Sequence, residues 1–181
     1  MTLTTGNYAK LASAAYESSN DRALSKAREV HPDYMLDEEL SGRYQKVFHN
    51  PTTKNTTVSF RGTSLKDSKD LAADSLYLIG MGRHSARFKN GKSTVNKVIA
   101  KYGKDTTDLT CHSLGCNVAS DISKDTGLKT ESFNKGKVLI PTRKADNEIS
   151  HKVIGDPLSR GSTFTLPKKV IGNPHSLDNF F

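Results

Sequence analysis

Ser113 stands where a β-branched run gives way at once to small residues, in TDLTCHSLGCNVAS over 107–120. A strand through TDLTC, followed directly by a helix from LGCNVASDIS, predicts a sharp turn with the serine at its apex. Such a turn suits nucleophilic attack on a carbonyl. The hydroxyl must stand clear of the backbone, and small residues must flank it because strand and helix pass closely. The next amide, that of Leu114, lies at a helix N-terminus and faces a developing oxyanion. Two residues before the serine stands Cys111, and two after it Gly115, both small enough for the turn. Without its surroundings the same pentapeptide reads as a serine capping a helix.

A serine nucleophile needs a base within hydrogen-bond reach, and the base needs a carboxylate to orient it. A strand-turn-helix nucleophile of this kind takes its partners in the chain order Ser, Asp, His. After Ser113 the chain holds two histidines, His151 and His175. Asp156 closes the apolar run HKVIGD just before Pro157, a place suited to a carboxylate at a sheet's carboxyl edge. With Asp156 as the acid, His175 is the base. The rival acid is Asp146, in the polar run RKADNEIS, and it would make His151 available. The first pairing is preferred. Taken singly, an Asp-Pro pair is a turn signal and a histidine near a C-terminus is a surface residue. The ordered set gives them weight.

A second oxyanion donor has to come from the loop after an earlier strand. FRGTS at 60–64 offers one: Gly62 permits close approach, and Thr63 carries an amide and a hydroxyl. Asp70 and Asp74 lie one helical turn apart and read as solvated or salt-bridged helix residues rather than a metal or acid/base pair. His112 is expected to point away from the nucleophile and pack. Cys111 and Cys116 sit on a path that diverges from strand to helix, so the expectation is two separate buried thiols.

The elements that must position these groups follow from periodicity. Helices are expected over 6–19 and 21–30, the second ending before Pro32. Strands are expected over 43–48 and in TTVSFRG, 56–62. A helix suits 65–76, and YLIGMG at 77–82 suits a buried strand or extended piece. GRHSARFKNGK then reads as a basic loop punctuated by glycine. In 92–102, Val95, Val98, Ile99 and Tyr102 recur at helical spacing beneath a lysine-rich face. Further strand candidates are KTESF, KVLI and HKVIGD. The last quarter is strand and loop broken by Pro157, Pro167 and Pro174. Helices alternating with short apolar strands predict an α/β fold, a central and mostly parallel sheet flanked by helices.

The whole chain, 1–181, fits one domain. Lys and Arg outnumber Asp and Glu 27 to 19, a net charge of +8, and 34% of residues are hydrophobic. That core is lean, yet the apolar residues cluster, which argues against disorder. No run approaches the roughly 20 apolar residues of a membrane span. No basic segment leads into an apolar run at MTLTTGNYAK, so no secretory signal is read there.

CHSLGC resembles the GHSLGG of class 3 lipases, a family of α/β-hydrolases. Upstream, VSFRGTS resembles that family's strand and oxyanion turn, and RHSARF occupies the place of its His-x-Gly-Phe segment, with arginine for the glycine. VIGDPLS and NPHSL fall where the family has its acid and its histidine. The resemblance spans roughly 56–178 and implies a minimal α/β-hydrolase fold. It implies a triad of Ser113, Asp156 and His175, with Thr63 and Leu114 as the oxyanion hole. The implied reaction is hydrolysis of acylglycerol or phospholipid esters through an acyl-enzyme, without metal or cofactor. Small forms without a signal sequence occur in large DNA viruses, which places the expected location in the cytoplasm or, for a viral protein, in the virion.

The segment after Tyr77, Leu78 and Ile79 is the natural place for a lid. It carries only Met81 and Phe88 among Arg83, Arg87, Lys89 and Lys92. That favours an anionic membrane surface or a polar-headed lipid over bulk triglyceride. Two other classes stay open. One is a hydrolase-fold protein without activity that serves a structural or interaction role, for example in a virion. The other is a nucleic-acid binder drawn from the charge. No aromatic-basic platform supports it, the lysines are dispersed, and no nucleic-acid partner is expected.

Overall fold

The chain alternates elements because its caps and apolar spacings change in step. In the computed structural model, residues 2–63, 82–138, 144–153, 156, 163–164 and 173–181 are described. Thr4 opens α1, Thr5–Ala14, through a reciprocal capping box with Asn7. Ser19 accepts from the Arg22 amide to open α2, Asn20–Arg28, which has Asp21 in its first turn and Lys26 and Arg28 in its last. Those charges complement the helix dipole. Strands β1 (Met35–Leu36), β2 (Gln45–His49) and β3 (Thr56–Phe60) follow. After a 3₁₀ turn over Gly82–His84 come α3 (Ala86–Tyr102), β4 (Thr107–His112) and α4 (Gly115–Thr126). The chain ends with β5 (Thr130–Phe133), β6 (Glu148–Lys152), β7 (Thr163–Phe164) and a 3₁₀ turn, Leu177–Phe180.

The seven described strands lie side by side in chain order. Strands β1, β2 and β3 pair antiparallel, and β3 through β7 run parallel. Phe60 is level with Cys111, Cys111 with Ser132, and Phe133 with both His112 and His151. The carboxyl ends of β3 to β6 therefore share one edge, where such sheets present their sites. Adjacent strand residues face opposite ways. Val58, Phe60, Leu109 and Cys111 thus point to one face, where Val95, Val98, Val118 and Ile122 of α3 and α4 cover them. On the other face the Thr110 hydroxyl donates to the carbonyl of Tyr8 in α1, and Tyr8, Ala12, Phe133 and Phe180 pack together. Helices on both faces of a mixed, mainly parallel sheet make this an α/β-hydrolase-like fold.

Three expectations change. Helix α3 begins at Ala86 rather than Lys92, so seven of the eleven residues of the expected basic loop are helix. Ser85 caps it by accepting from the Phe88 amide at 3.1 Å. Gly91, a loop signal in the sequence, is a packing residue: a Cβ there would lie 3.0 Å from the Phe60 ring. Strand β6 starts at Glu148 and stops at Lys152, leaving Asp156 beyond its end. Lys137 and Val138 carry no strand. The expected helix over 65–76, with Asp70 and Asp74, and the segment 77–81 lie outside the described residues, as do Leu139 and Ile140. Among the described residues, no helix is long and apolar enough to cross a membrane.

Candidate active site

Strand β4 ends at His112, and the next residue, Ser113, takes a left-handed φ of 54°. An L-residue adopts that backbone only when its surroundings enforce it. Here the Ser113 amide donates to Phe133 O at 3.0 Å, and its carbonyl accepts from the amides of Cys116 and Gly136. Helix α4 then starts at Gly115, whose missing side chain is necessary: a Cβ would sit 2.8 Å from the Phe60 carbonyl oxygen. Gly62 is equally constrained, since a Cβ there would meet the Ser113 Cβ at 2.8 Å. Ser113 is left half-buried at the sheet edge, between β3's end and α4.

His175 Nε2 lies 2.9 Å from Ser113 Oγ, and His175 Nδ1 lies 2.7 Å from Asp156 Oδ2. An ionised carboxylate only accepts, so Nδ1 carries the hydrogen and Nε2 is free to accept the serine's. The Asp156 side chain is fully buried and that of His175 nearly so. The Asp156 backbone is tied to Val153 O at 3.2 Å. Three residues expected from the sequence are thus in one hydrogen-bonded line. The rival His151 is not in it: its Nε2 is bonded to Glu131 Oε2 at 2.5 Å, and its ring stacks on Phe133. Asp146 lies in the turn before β6.

Leu114 is the N-cap of α4 and buried. Among the described residues no acceptor meets its N–H. Thr63 follows Gly62, which packs against Ser113, just past β3. A serine hydroxyl hydrogen-bonded to an imidazole that a buried carboxylate orients is an arrangement suited to acyl transfer. Among the described residues no group of three or more His, Cys, Asp or Glu side chains gathers as a metal site.

Three features escaped the sequence reading. His112 does more than pack. Its Nε2 is 2.8 Å from the carbonyl oxygen of His175, which can only accept, so Nε2 bears the hydrogen. Its Nδ1 then accepts from the Tyr16 hydroxyl at 2.7 Å, and the Tyr16 oxygen accepts from the Gly62 amide at 2.7 Å. Burial, and after it the neighbouring His175, push the His112 pKa down to about 4, so the ring is neutral. The second feature is Asn134, at φ 46° just past β5. Its side chain accepts from the Val153 amide at 3.1 Å and donates to Pro174 O at 3.3 Å. It joins the segment before the acid to the segment before the base.

The third is a correction. Cys111 and Cys116 are joined by a disulfide, not separate thiols. The turn at Ser113 doubles the chain back, so strand and helix have not diverged by Cys116. The two Cα atoms are 4.9 Å apart, within the span of about 4.4 to 6.8 Å that a disulfide bridges.

The sequence matches no protein-family model and no curated protein. Among solved structures it resembles the Lip2 lipase of Yarrowia lipolytica, with a TM-score of 0.55 and 14% identity, over 85% of this chain and 71% of that one. At that identity the likeness is one of fold: a lipase-like α/β-hydrolase architecture.

Proposed function

We propose that this chain is a serine carboxylic-ester hydrolase of the class 3 lipase kind, acting on acylglycerol or phospholipid esters. The observation that carries the reading is the unbroken line from Ser113 Oγ through His175 to the buried Asp156. His175 Nε2 takes the Ser113 proton as Oγ attacks the ester carbonyl. The amides of Thr63 and Leu114 hold the oxyanion. His175⁺, stabilised by Asp156, then passes the proton to the departing alkoxide and leaves an acyl-serine. Water repeats the sequence with His175 as base and releases the carboxylic acid.

An anionic surface is the proposed partner. Its support has moved from the expected loop to helix α3 and the rim of β3. Lys89 and Lys97 are exposed on α3, and Phe88, expected to be a lid residue, is buried. Exposed Arg43 and half-buried Arg61 lie against the Tyr44 ring, each guanidinium carbon 5.6 Å from its centroid, while Arg87 on the same ring is buried. Arg61 directly precedes Gly62 and Thr63. Hydrolysis in vesicles should rise with anionic lipid content and fall with salt. Indifference to both removes the anionic partner.

The decisive experiment is labelling with a fluorophosphonate probe. The expected result is one adduct on Ser113, absent from Ser113→Ala, together with turnover of short-chain p-nitrophenyl esters. An unlabelled wild-type chain that still folds would favour the structural role for this fold.

A further inference from the structure

The residues from Cys111 to Cys116 form a covalent ring. β4 leads in through Cys111, the chain reverses at Ser113, and Cys116 in the first turn of α4 returns to bond Cys111. Within the ring lie Ser113 and Leu114, the two residues of this turn that the proposed reaction uses. Both cysteines are fully buried.

We propose that the Cys111–Cys116 disulfide is a positioning device for the nucleophile, and that hydrolysis depends on its being oxidised; the inference rests on the hydrolase reading. Bonded sulfurs sit about 2.05 Å apart, whereas non-bonded heavy atoms settle at roughly 3.5 Å or more. Reduction therefore demands room in a filled core. The neighbours offer little. On one side α4 begins so close to β3 that a Cβ on Gly115 would lie 2.8 Å from Phe60 O. On the other, a Cβ on Gly136 would lie 3.0 Å from the Leu114 nitrogen. The sulfurs, 3.2 Å from Ser132 Oγ and 3.7 Å from Phe133 O, part either by turning among these buried neighbours or by moving the end of β4 or the first turn of α4. Each carries part of the site.

The chemistry is thiol–disulfide exchange with a dithiol. The Sγ–Sγ bond breaks, each sulfur ends with one hydrogen, and the reductant leaves as its own disulfide. Because both sulfurs are buried, exchange requires a local opening and is slow in the native chain. A bond that served stability alone would lower the melting temperature on reduction and leave kcat unchanged well below it.

The test reduces the wild-type chain with dithiothreitol in mild urea and returns it to buffer with reductant. Thiols are counted by alkylation, and the fold is followed by near-UV circular dichroism. Reduction should lower kcat on a p-nitrophenyl ester about tenfold or more, with KM within about twofold, as a misplaced nucleophile does. Reoxidation should restore it. The Cys111→Ala/Cys116→Ala variant, lacking both bond and thiols, should be indifferent to dithiol. Equal kcat before and after reduction overturns the inference and leaves the hydrolase reading intact. So does a native chain with two titratable thiols, or a reduced chain that loses its fold. Absence of labelling and turnover in the oxidised chain sinks the hydrolase reading and this inference together.

Discussion

His112 donates its Nε2–H to the backbone carbonyl of His175 across 2.8 Å, so the residue beside the nucleophile carries the segment that holds the base. The same ring accepts from Tyr16, which in turn accepts from the amide of Gly62. Three parts of the chain, around residues 16, 62 and 175, are thereby referred to the end of β4. Each bond has one direction: the other His112 tautomer leaves Nε2 and the His175 carbonyl as two facing acceptors, and turning the Tyr16 O–H toward Gly62 leaves two facing donors.

Tyr16→Phe removes the middle of that chain and leaves the Gly62 N–H and His112 Nδ1 unmet. Buried groups without partners cost about 1 to 3 kcal/mol each. The larger effect should fall on the reaction, because Gly62 precedes the Thr63 amide and His112 precedes Ser113. We expect kcat to fall about tenfold with KM nearly unchanged. Michaelis kinetics on a soluble ester check this. A change confined to KM would show that Tyr16 touches substrate instead.

Asn134 makes the matching link on the other side of the triad. Its backbone is left-handed, so Asn134→Gly keeps the conformation and removes only the side chain. The Val153 amide and the Pro174 carbonyl then lose their shared partner. Asp156 follows the first and His175 follows the second. The rate of fluorophosphonate labelling at Ser113 should drop roughly tenfold, while the midpoint of urea denaturation moves by less than the loss of a core side chain would cause.

How far these links were legible differs by residue. Ser113 was readable because its turn is local: strand, apex and helix occupy consecutive residues. Asp156 and His175 were readable by chain order once the serine was placed. Tyr16 and Asn134 were not, since their partners lie 96 and 40 residues away and neither residue type announces a bond. The disulfide was misread for a geometric reason: the spacing was taken along an extended path, and the left-handed Ser113 folds that path back. Gly91 was misread because glycine marks loops and close approaches alike. Only the tertiary neighbours, Phe60 and Ile122, distinguish the two.

A buried ion pair under the sheet makes a separate prediction. Lys135 Nζ lies 3.1 Å from Glu148 Oε1, and the Glu148 carboxylate also accepts from Ser120, Ser132 and Ser150. Burial raises the Glu148 pKa, but Lys135 and the serine hydroxyls outweigh it, so the carboxyl is held below its ordinary value of 4.5. Lys135→Met should destabilise by about 3 to 5 kcal/mol, because an unpaired buried charge remains. Adding Glu148→Gln should recover most of that loss, since the amide can still bond the serines. Urea denaturation of the three chains at neutral pH measures both steps. Equal stability of the single and double variants would rule out charge burial as the cause.

The last prediction concerns pH and returns to His112. Its folded-state pKa is depressed from 6.5 to about 4, mainly by burial. Between those values the unfolded chain binds the proton and the folded chain does not, so folding is opposed there. The stabilising contribution of the neutral ring is complete above about pH 6.5, declines as pH falls, and is gone below about pH 4. A shift of that size corresponds to about 3 kcal/mol. Protonation would also put a hydrogen on Nδ1 where the Tyr16 hydroxyl already donates, so activity should be lost over the same acid range as Gly62, Tyr16 and His175 come apart. Stability curves at several pH values, for wild type and His112→Gln, separate this group from the carboxylates. The variant should be less stable at pH 7 and flatter between pH 6.5 and 4. A wild-type ring that titrates near 6.5 by NMR would mean that His112 is neither buried nor bonded as described.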